Sequence, residues 1–227
     1  MKALIVADGD VSAGVLSHPL LSAAGERLLI VAADGGAAKA ELLGLRPDVV
    51  VGDLDSLAPE TLDRLRADGV DISAHPADKD ESDTQLAMRE ALARGASEVV
   101  LIGALGGVRL DHTLANLLLL GLPDLAGRRV VLLDGPSSVR VMGLDGSDEL
   151  VLDGRPGDIV SLLPLSGRVE GVTTSGLHYA LNQEPLLQGY SRGLSNVMQI
   201  ERASIRTGGG RLAVIHTPGQ GGGTNDG

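Results

Sequence analysis

Gly52-Asp53-Leu54-Asp55-Ser56 follows a β-branched run at 49–51 and sets two carboxylates two positions apart, just past a predicted strand. On extended backbone, side chains at i and i+2 share a face. The pair then stands beyond the carboxyl end of a strand, where open α/β sheets bind ligands. Two like charges held together repel unless a cation or positive donors lie between them. A divalent metal carrying phosphate oxygens answers that need. Asp8 and Asp34 end two other predicted strands, and Asp83 opens a helix behind the charged run Asp78-Lys79-Asp80. Ordinary turn and capping chemistry accounts equally well for Asp8 and Asp10, and Asp83 can serve the helix dipole alone.

Groups suited to an anion lie close by in sequence. Gly35-Gly36 follows Asp34 and leads into an Ala-rich helix, so the backbone can approach a ligand and offer free N–H groups. The segment from Gly103 through Gly106-Gly107-Val108-Arg109-Leu110-Asp111-His112 joins a predicted strand to a helix. Flexible loop, arginine and capping aspartate together make a phosphate cradle, with Arg109 able to donate two parallel hydrogen bonds. An Arg109–Asp111 surface pair is the plainer alternative. Neither GxGxxG nor the Walker pattern occurs, and the five histidines show no paired spacing. Late in the chain, Thr173-Thr174-Ser175-Gly176-Leu177-His178-Tyr179 and Ser195-Asn196 form polar islands, where Tyr179 either stacks on a planar ligand or sits at a polar–apolar boundary.

The elements that must position these groups fall into two sets. Runs at 2–7, 27–33, 47–51, 70–74, 98–102 and 129–133 read as strands; stretches at 37–43, 59–68, 82–94 and 111–120 read as helices. Pro59 marks a helix start, and Ser82-Asp83-Thr84-Gln85 a capping box. Alternation of this kind predicts a mainly parallel sheet with helices on both faces, a three-layer α/β/α domain over residues 1–137. Beyond Gly135 only short strand-like pieces remain, at 139–143, 149–152, 158–163, 168–173, 197–200 and 212–215. They predict a second, all-β, sandwich-like domain at 138–217, followed by a Gly-rich tail at 218–227 expected to be disordered.

Composition narrows the class. The 227 residues include two tyrosines and no phenylalanine or tryptophan, so any core is aliphatic. A net charge of −11 without a basic cluster argues against nucleic acid. No cysteine is present, no apolar run is long enough to cross a bilayer, and the first apolar run stops at Asp8. The expectation is a cytoplasmic protein without a membrane partner.

Taken in order, Asp34-Gly35-Gly36, Gly52 to Ser56, Asp80 with Ser82-Asp83-Thr84, Gly103 with Arg109 to His112 and Asn116, Gly176 to Tyr179, and Ser195-Asn196 resemble the thiamine pyrophosphokinase family across nearly the whole chain. The resemblance implies an enzyme that transfers pyrophosphate from ATP to the thiamine hydroxyl, releasing thiamine diphosphate and AMP. It implies a homodimer with Mg-ATP on the α/β domain, thiamine on the β domain and substrate near the subunit interface. Asp53, Asp55 and Asp83 correspond to Mg²⁺ and phosphate-site acids, and Lys79, Arg109 and Asp111 belong with the polyphosphate. Asp34, Gly35 and Gly36 fall to the nucleotide side; Tyr179, Ser195 and Asn196 fall to the thiamine side. Val108 lengthens the usual glycine-glycine-arginine spacing by one, and Leu54 stands where phenylalanine is frequent. A pyrophosphokinase for another hydroxymethyl heterocycle, such as a hydroxymethylpterin, is the nearest rival; a non-catalytic nucleotide or thiamine sensor is the other.

Overall fold

The computed structural model describes residues 1–21, 27–144 and 148–219. It divides into two compact units, Met1–Gly135 and Pro136–Gly227; the expected disorder of the tail falls, from residue 220, outside the described residues.

In the first unit the strands are β1 (Lys2–Val6), β2 (Leu28–Ala33), β3 (Val49–Gly52), β4 (Asp71–Ala74), β5 (Glu98–Ile102) and β6 (Arg129–Asp134). They form a parallel sheet in the order β6-β5-β1-β2-β3-β4. Every residue of β1 is buried, as expected of a central strand covered on both faces. The helices are α1 (Gly36–Leu42), α2 (Pro59–Ala67), α3 (Asp83–Ala93) and α4 (Leu110–Leu119). α1 packs on β1 and β2, and α3 on β1, β2 and β3. Proline opens α2 at its first turn. The Ser82 hydroxyl caps α3 by accepting from the Gln85 N–H at 3.3 Å, as its sequence predicts. Two short 3-10 turns, Ala13–Ser17 and Pro19–Leu21, fill a stretch for which the pattern gave no element.

The chain runs outward from β1 through β2, β3 and β4, then returns to the other side of β1 as β5. Strand order therefore reverses between β1 and β5, and the crevice beyond their carboxyl ends is where such sheets bind ligands. The loops leaving these two strands run side by side, Gly9 N–H donating to the Gly103 carbonyl at 2.6 Å and Asp10 N–H to that of Leu105 at 2.8 Å.

The second unit is antiparallel: β7 (Ser137–Met142), β8 (Asp148–Asp153), β9 (Ile159–Pro164), β10 (Arg168–Ser175), β11 (Glu184–Leu187), β12 (Asn196–Val197), β13 (Arg202–Thr207) and β14 (Leu212–Thr217). Two layers form, β12-β9-β14-β7 and β11-β10-β13-β8. Met142, Val160, Leu162 and Leu212 from one layer meet Leu152, Val172, Leu186 and Ile205 from the other in an aliphatic core. Both tyrosines lie outside it, 58% and 68% exposed. Among the described residues no helix is long and apolar enough to cross a membrane.

Candidate active site

Three carboxylates converge beyond the sheet. Asp34 leaves β2, Asp53 leaves β3 and Asp83 begins α3, and one oxygen from each lies within 4.8 Å of the others. Asp34 is buried in the left-handed region at φ 46°, and its Oδ1 has no hydrogen-bond partner. Gly52 makes the approach possible: a Cβ there would lie 3.0 Å from Asp34 Cβ and 3.1 Å from Asp83 Oδ1.

Lys79 enters the same cluster, its Nζ 2.9 Å from Asp83 Oδ1 and 3.6 Å from Asp53 Oδ2. Burial works against its charge, but the two acids outweigh that and raise the ammonium above its ordinary range. Asp53 is held below the usual carboxylate range, first by the Asp55 backbone N–H on its Oδ1 at 3.3 Å and then, against some desolvation, by Lys79.

That backbone contact corrects the premise of an extended Asp53–Asp55 segment. Leu54 is left-handed at φ 66°, so the chain turns between the two acids rather than presenting them on one strand face. The aspartate side chain accepting from the N–H two residues on is what stabilises this turn. Asp55 faces the same cavity but stands apart from the close trio, accepting from the Ser56 hydroxyl at 3.2 Å.

The cavity measures 390 Å³ and also takes in Asp8, Gly9, Thr84, Arg109 and Asn116. Arg109 and Asp111 form a two-point pair, Nε to Oδ1 at 3.1 Å and Nη2 to Oδ2 at 2.5 Å, with both side chains well exposed. Arg109 thereby depresses the Asp111 carboxyl to about 2. Asp111 is not the cap expected of it: Arg109 occupies the N-cap position without a side-chain cap, and Asp111 lies in the first turn. Val108 is fully exposed, so the extra residue points away from the fold. The loop itself is fixed from α4, where the buried Asn116 amide donates to the Ala104 carbonyl at 2.8 Å. Gly106 lies so close to Asp10 that a Cβ would meet its carboxylate at 2.1 Å.

Asp8 and Thr84 line the cavity without having been assigned a role: turn chemistry accounted equally well for Asp8, and Thr84 stood only within a longer motif. Asp8 carried the same signal as Asp34, an acid ending a buried strand; Thr84, in the first turn of α3, carried none of its own. Gly35 and Gly36 do sit at a helix start. A Cβ on Gly36 would lie 2.0 Å from the Val6 carbonyl, so close packing of α1 on β1 already requires that glycine.

In the second unit Asn196 organises its own cluster. Its side chain accepts from the Tyr179 and Val197 N–H groups, both at 2.9 Å, and donates to the Tyr179 carbonyl at 2.7 Å. The neighbouring Ser195, at φ 54°, donates its N–H to the Ser161 hydroxyl at 3.0 Å. The ring of Tyr179 stays exposed, edge-on to His178 at 4.5 Å. Asn196 therefore shapes the backbone that presents Tyr179.

A parallel sheet with acids gathered at its switch point, followed by an antiparallel sandwich with a presented aromatic ring, is the frame of a nucleotide-dependent transferase. Residues 22–132 match the family pattern for the thiamin pyrophosphokinase catalytic domain, and residues 149–212 that for the thiamin pyrophosphokinase vitamin B1 binding domain. Thiamine pyrophosphokinase 1 of Oryza sativa subsp. japonica is 28% identical over 70% of this chain and 62% of its own length. Thiamine pyrophosphokinase of Bacillus subtilis is 25% identical over 85% and 88%. The crystal structure of a thiamin pyrophosphokinase family protein from Enterococcus faecalis superposes with a TM-score of 0.79 at 28% identity, covering 97% of this chain and all of that one. The chain belongs to the thiamine pyrophosphokinase family, an ATP-dependent group of enzymes.

Proposed function

We propose that this protein transfers the terminal pyrophosphoryl group of ATP to the hydroxyl of thiamine, giving thiamine diphosphate and AMP. The observation that carries this is the trio Asp34, Asp53 and Asp83 at the switch point of the sheet. A buried carboxylate oxygen without a partner, beside two further acids, fits a hard divalent cation and is costly without one. Asp53, Asp83 and Asp34 would hold Mg²⁺, with Asp55 next to them. The ion supplies charge neutralisation on polyphosphate oxygens.

The remaining chemistry belongs to the chain. The thiamine oxygen attacks the β-phosphorus as its bond to the AMP oxygen breaks, and the hydroxyl proton is released. Lys79 and Arg109 donate to phosphoryl oxygens, for which Arg109 opens its pair with Asp111. Gly35 and Gly36 offer backbone N–H groups at the start of α1. Positioning and electrostatics supply most of the rate in such transfers, so a dedicated general base is not required. Tyr179 carries the thiamine ring, held in place by Asn196 with Ser195 alongside. A homodimer and a cytoplasmic location, where ATP is supplied, complete the reading.

Incubation with ATP, Mg²⁺ and either thiamine or a hydroxymethylpterin, followed by nucleotide chromatography, tests the acceptor. AMP release with thiamine alone supports the proposal. AMP release only with the pterin moves the assignment to the rival kinase, and binding without AMP to a sensor.

A further inference from the structure

The two ends of the parallel sheet carry opposite charge. Beyond the carboxyl ends of the strands, five aspartates (Asp8, Asp34, Asp53, Asp55 and Asp83) and one arginine, Arg109, line the candidate active site. A larger cavity of 600 Å³ opens at the other end of the same strands, where Arg27, Arg46 and Arg94 stand against Asp48 and Asp71. Its lining is therefore net positive in a chain of net −11. Arg27 and Asp34 flank β2, and Asp48 and Asp53 flank β3, so about 15–20 Å of strand separates the two cavities. No ligand of ordinary size touches both.

The two aspartates do not exhaust the arginines. Asp48 Oδ1 accepts from Arg27 Nη2 at 2.7 Å, while its Oδ2 accepts from the Ile30 N–H at 2.9 Å. Arg94 ends α3, donating from Nη1 to Asp71 at 2.9 Å and from Nε to Glu90 at 2.7 Å. A guanidinium has N–H donors on all three nitrogens, so among the described residues Arg27 keeps Nε and Nη1 unused and Arg94 keeps Nη2. Local pairing explains those two side chains. It does not explain Arg46, which is exposed and has no side-chain hydrogen bond or ion pair among the described residues. The buried Pro47 behind it biases the Arg46 backbone toward extended conformations, which lowers the cost of ordering it on a ligand. We propose that this cavity binds a diphosphate group, free or esterified, at a site separate from the catalytic one. Guanidinium forks match phosphoryl oxygens in geometry and charge. A cavity of 600 Å³ also falls within the range of small-molecule sites, about 300–1,000 Å³. Several spaced negative charges suit three arginines better than a single carboxylate does, and Leu29 with Pro47 takes the organic part of an ester. Without metal the acidic cavity repels such a ligand, so in chelator the arginine end is where it binds.

Equilibrium dialysis of labelled pyrophosphate and labelled ADP against the whole protein, in EDTA at constant ionic strength, tests the site apart from metal-dependent catalysis. One equivalent bound per chain is expected, with affinity at least about tenfold lower in Arg46→Ser and unchanged in the active-site variant Arg109→Ser. Because Arg46 is exposed, Arg46→Ser is expected to keep the wild-type circular dichroism spectrum and the wild-type turnover of Mg-ATP and thiamine. Pyrophosphate binding as tightly as ADP assigns the site to the diphosphate group alone. Tighter ADP gives the apolar lining a share in an ester, and both outcomes support the proposal when Arg46→Ser abolishes them. No saturable binding by the wild type, or binding that survives Arg46→Ser, overturns it; loss in Arg109→Ser instead moves the anion to the catalytic cavity. None of these results bears on pyrophosphoryl transfer, which stands or falls on AMP release in Mg²⁺.

Discussion

Asp34 combines features that a bound cation would account for. It is buried, left-handed and short of a partner for Oδ1, and it faces two further acids. Asparagine tolerates the same backbone conformation. Asp34→Asn is therefore expected to keep its melting temperature in chelator, or to gain from relieved repulsion, while Mn²⁺ affinity measured by titration calorimetry falls at least about tenfold and turnover about a hundredfold. Unchanged Mn²⁺ affinity would remove Asp34 from the metal site. Gly52→Ala is expected to destabilise by about 1–3 kcal/mol in chemical denaturation, since φ 153° and the contacts with Asp34 and Asp83 both oppose a side chain there. The Asp53–Asp55 pair was legible from its spacing. Its turn was not, because leucine at positive φ cannot be read from residue type, and the convergence of Asp34 with Asp83 depends on strand order.

At the scale of elements, polar side chains fix the loops on which the proposed chemistry rests. Asn116→Ala leaves the Ala104 carbonyl unpaired in the interior, which costs about 1–3 kcal/mol. The expected kinetic signature is a raised KM for ATP, since the loop before α4 loses its tether. Asn196→Ala should instead raise KM for thiamine, through the backbone of Tyr179. A third tether joins strand end to turn in the second unit: buried Asp158 accepts from the N–H groups of Arg155 and Gly219 and from His216 Nε2, all at 2.9 Å. Burial opposes its charge, but these contacts prevail and lower its pKa. A depressed carboxylate contributes stability above its unfolded value near 3.8, and that contribution is lost as pH falls through the folded value. Asp158→Asn should accordingly flatten the acid limb of a stability–pH curve below about pH 4; an unaltered limb would refute the tether. Most elements were visible as runs and breaks. β11 was hidden by Pro185, which demotes a strand pattern; β13 went unread although exposed Arg202 and Arg206 alternate with buried Ala203 and Ile205, the period-two pattern of a half-buried strand.

At the scale of the molecule, an aliphatic parallel sheet and an aliphatic sandwich each carry one half of the expected chemistry. A ligand that binds only the folded form stabilises it by about 2.7 kcal/mol at a hundred times its Kd. Mg-ATP is expected to raise the melting temperature and EDTA to abolish that rise, whereas thiamine should stabilise with or without metal. Two-domain order was legible because the pattern changes from alternating helix and strand to strand alone near Gly135. The outward face of α4, where Leu110, Leu114 and Leu118 are exposed, was not, since a leucine-rich helix reads as core until its neighbours are known. The central claim is pyrophosphoryl transfer, and the stoichiometry of AMP to thiamine diphosphate tests it most directly, measured by chromatography from ATP, Mg²⁺ and thiamine for wild type and Asp83→Asn. The account predicts equal amounts of the two products from the wild type, no ADP, and a loss of both products together in the variant. ADP as the nucleotide product, or AMP formed without thiamine diphosphate, would contradict it.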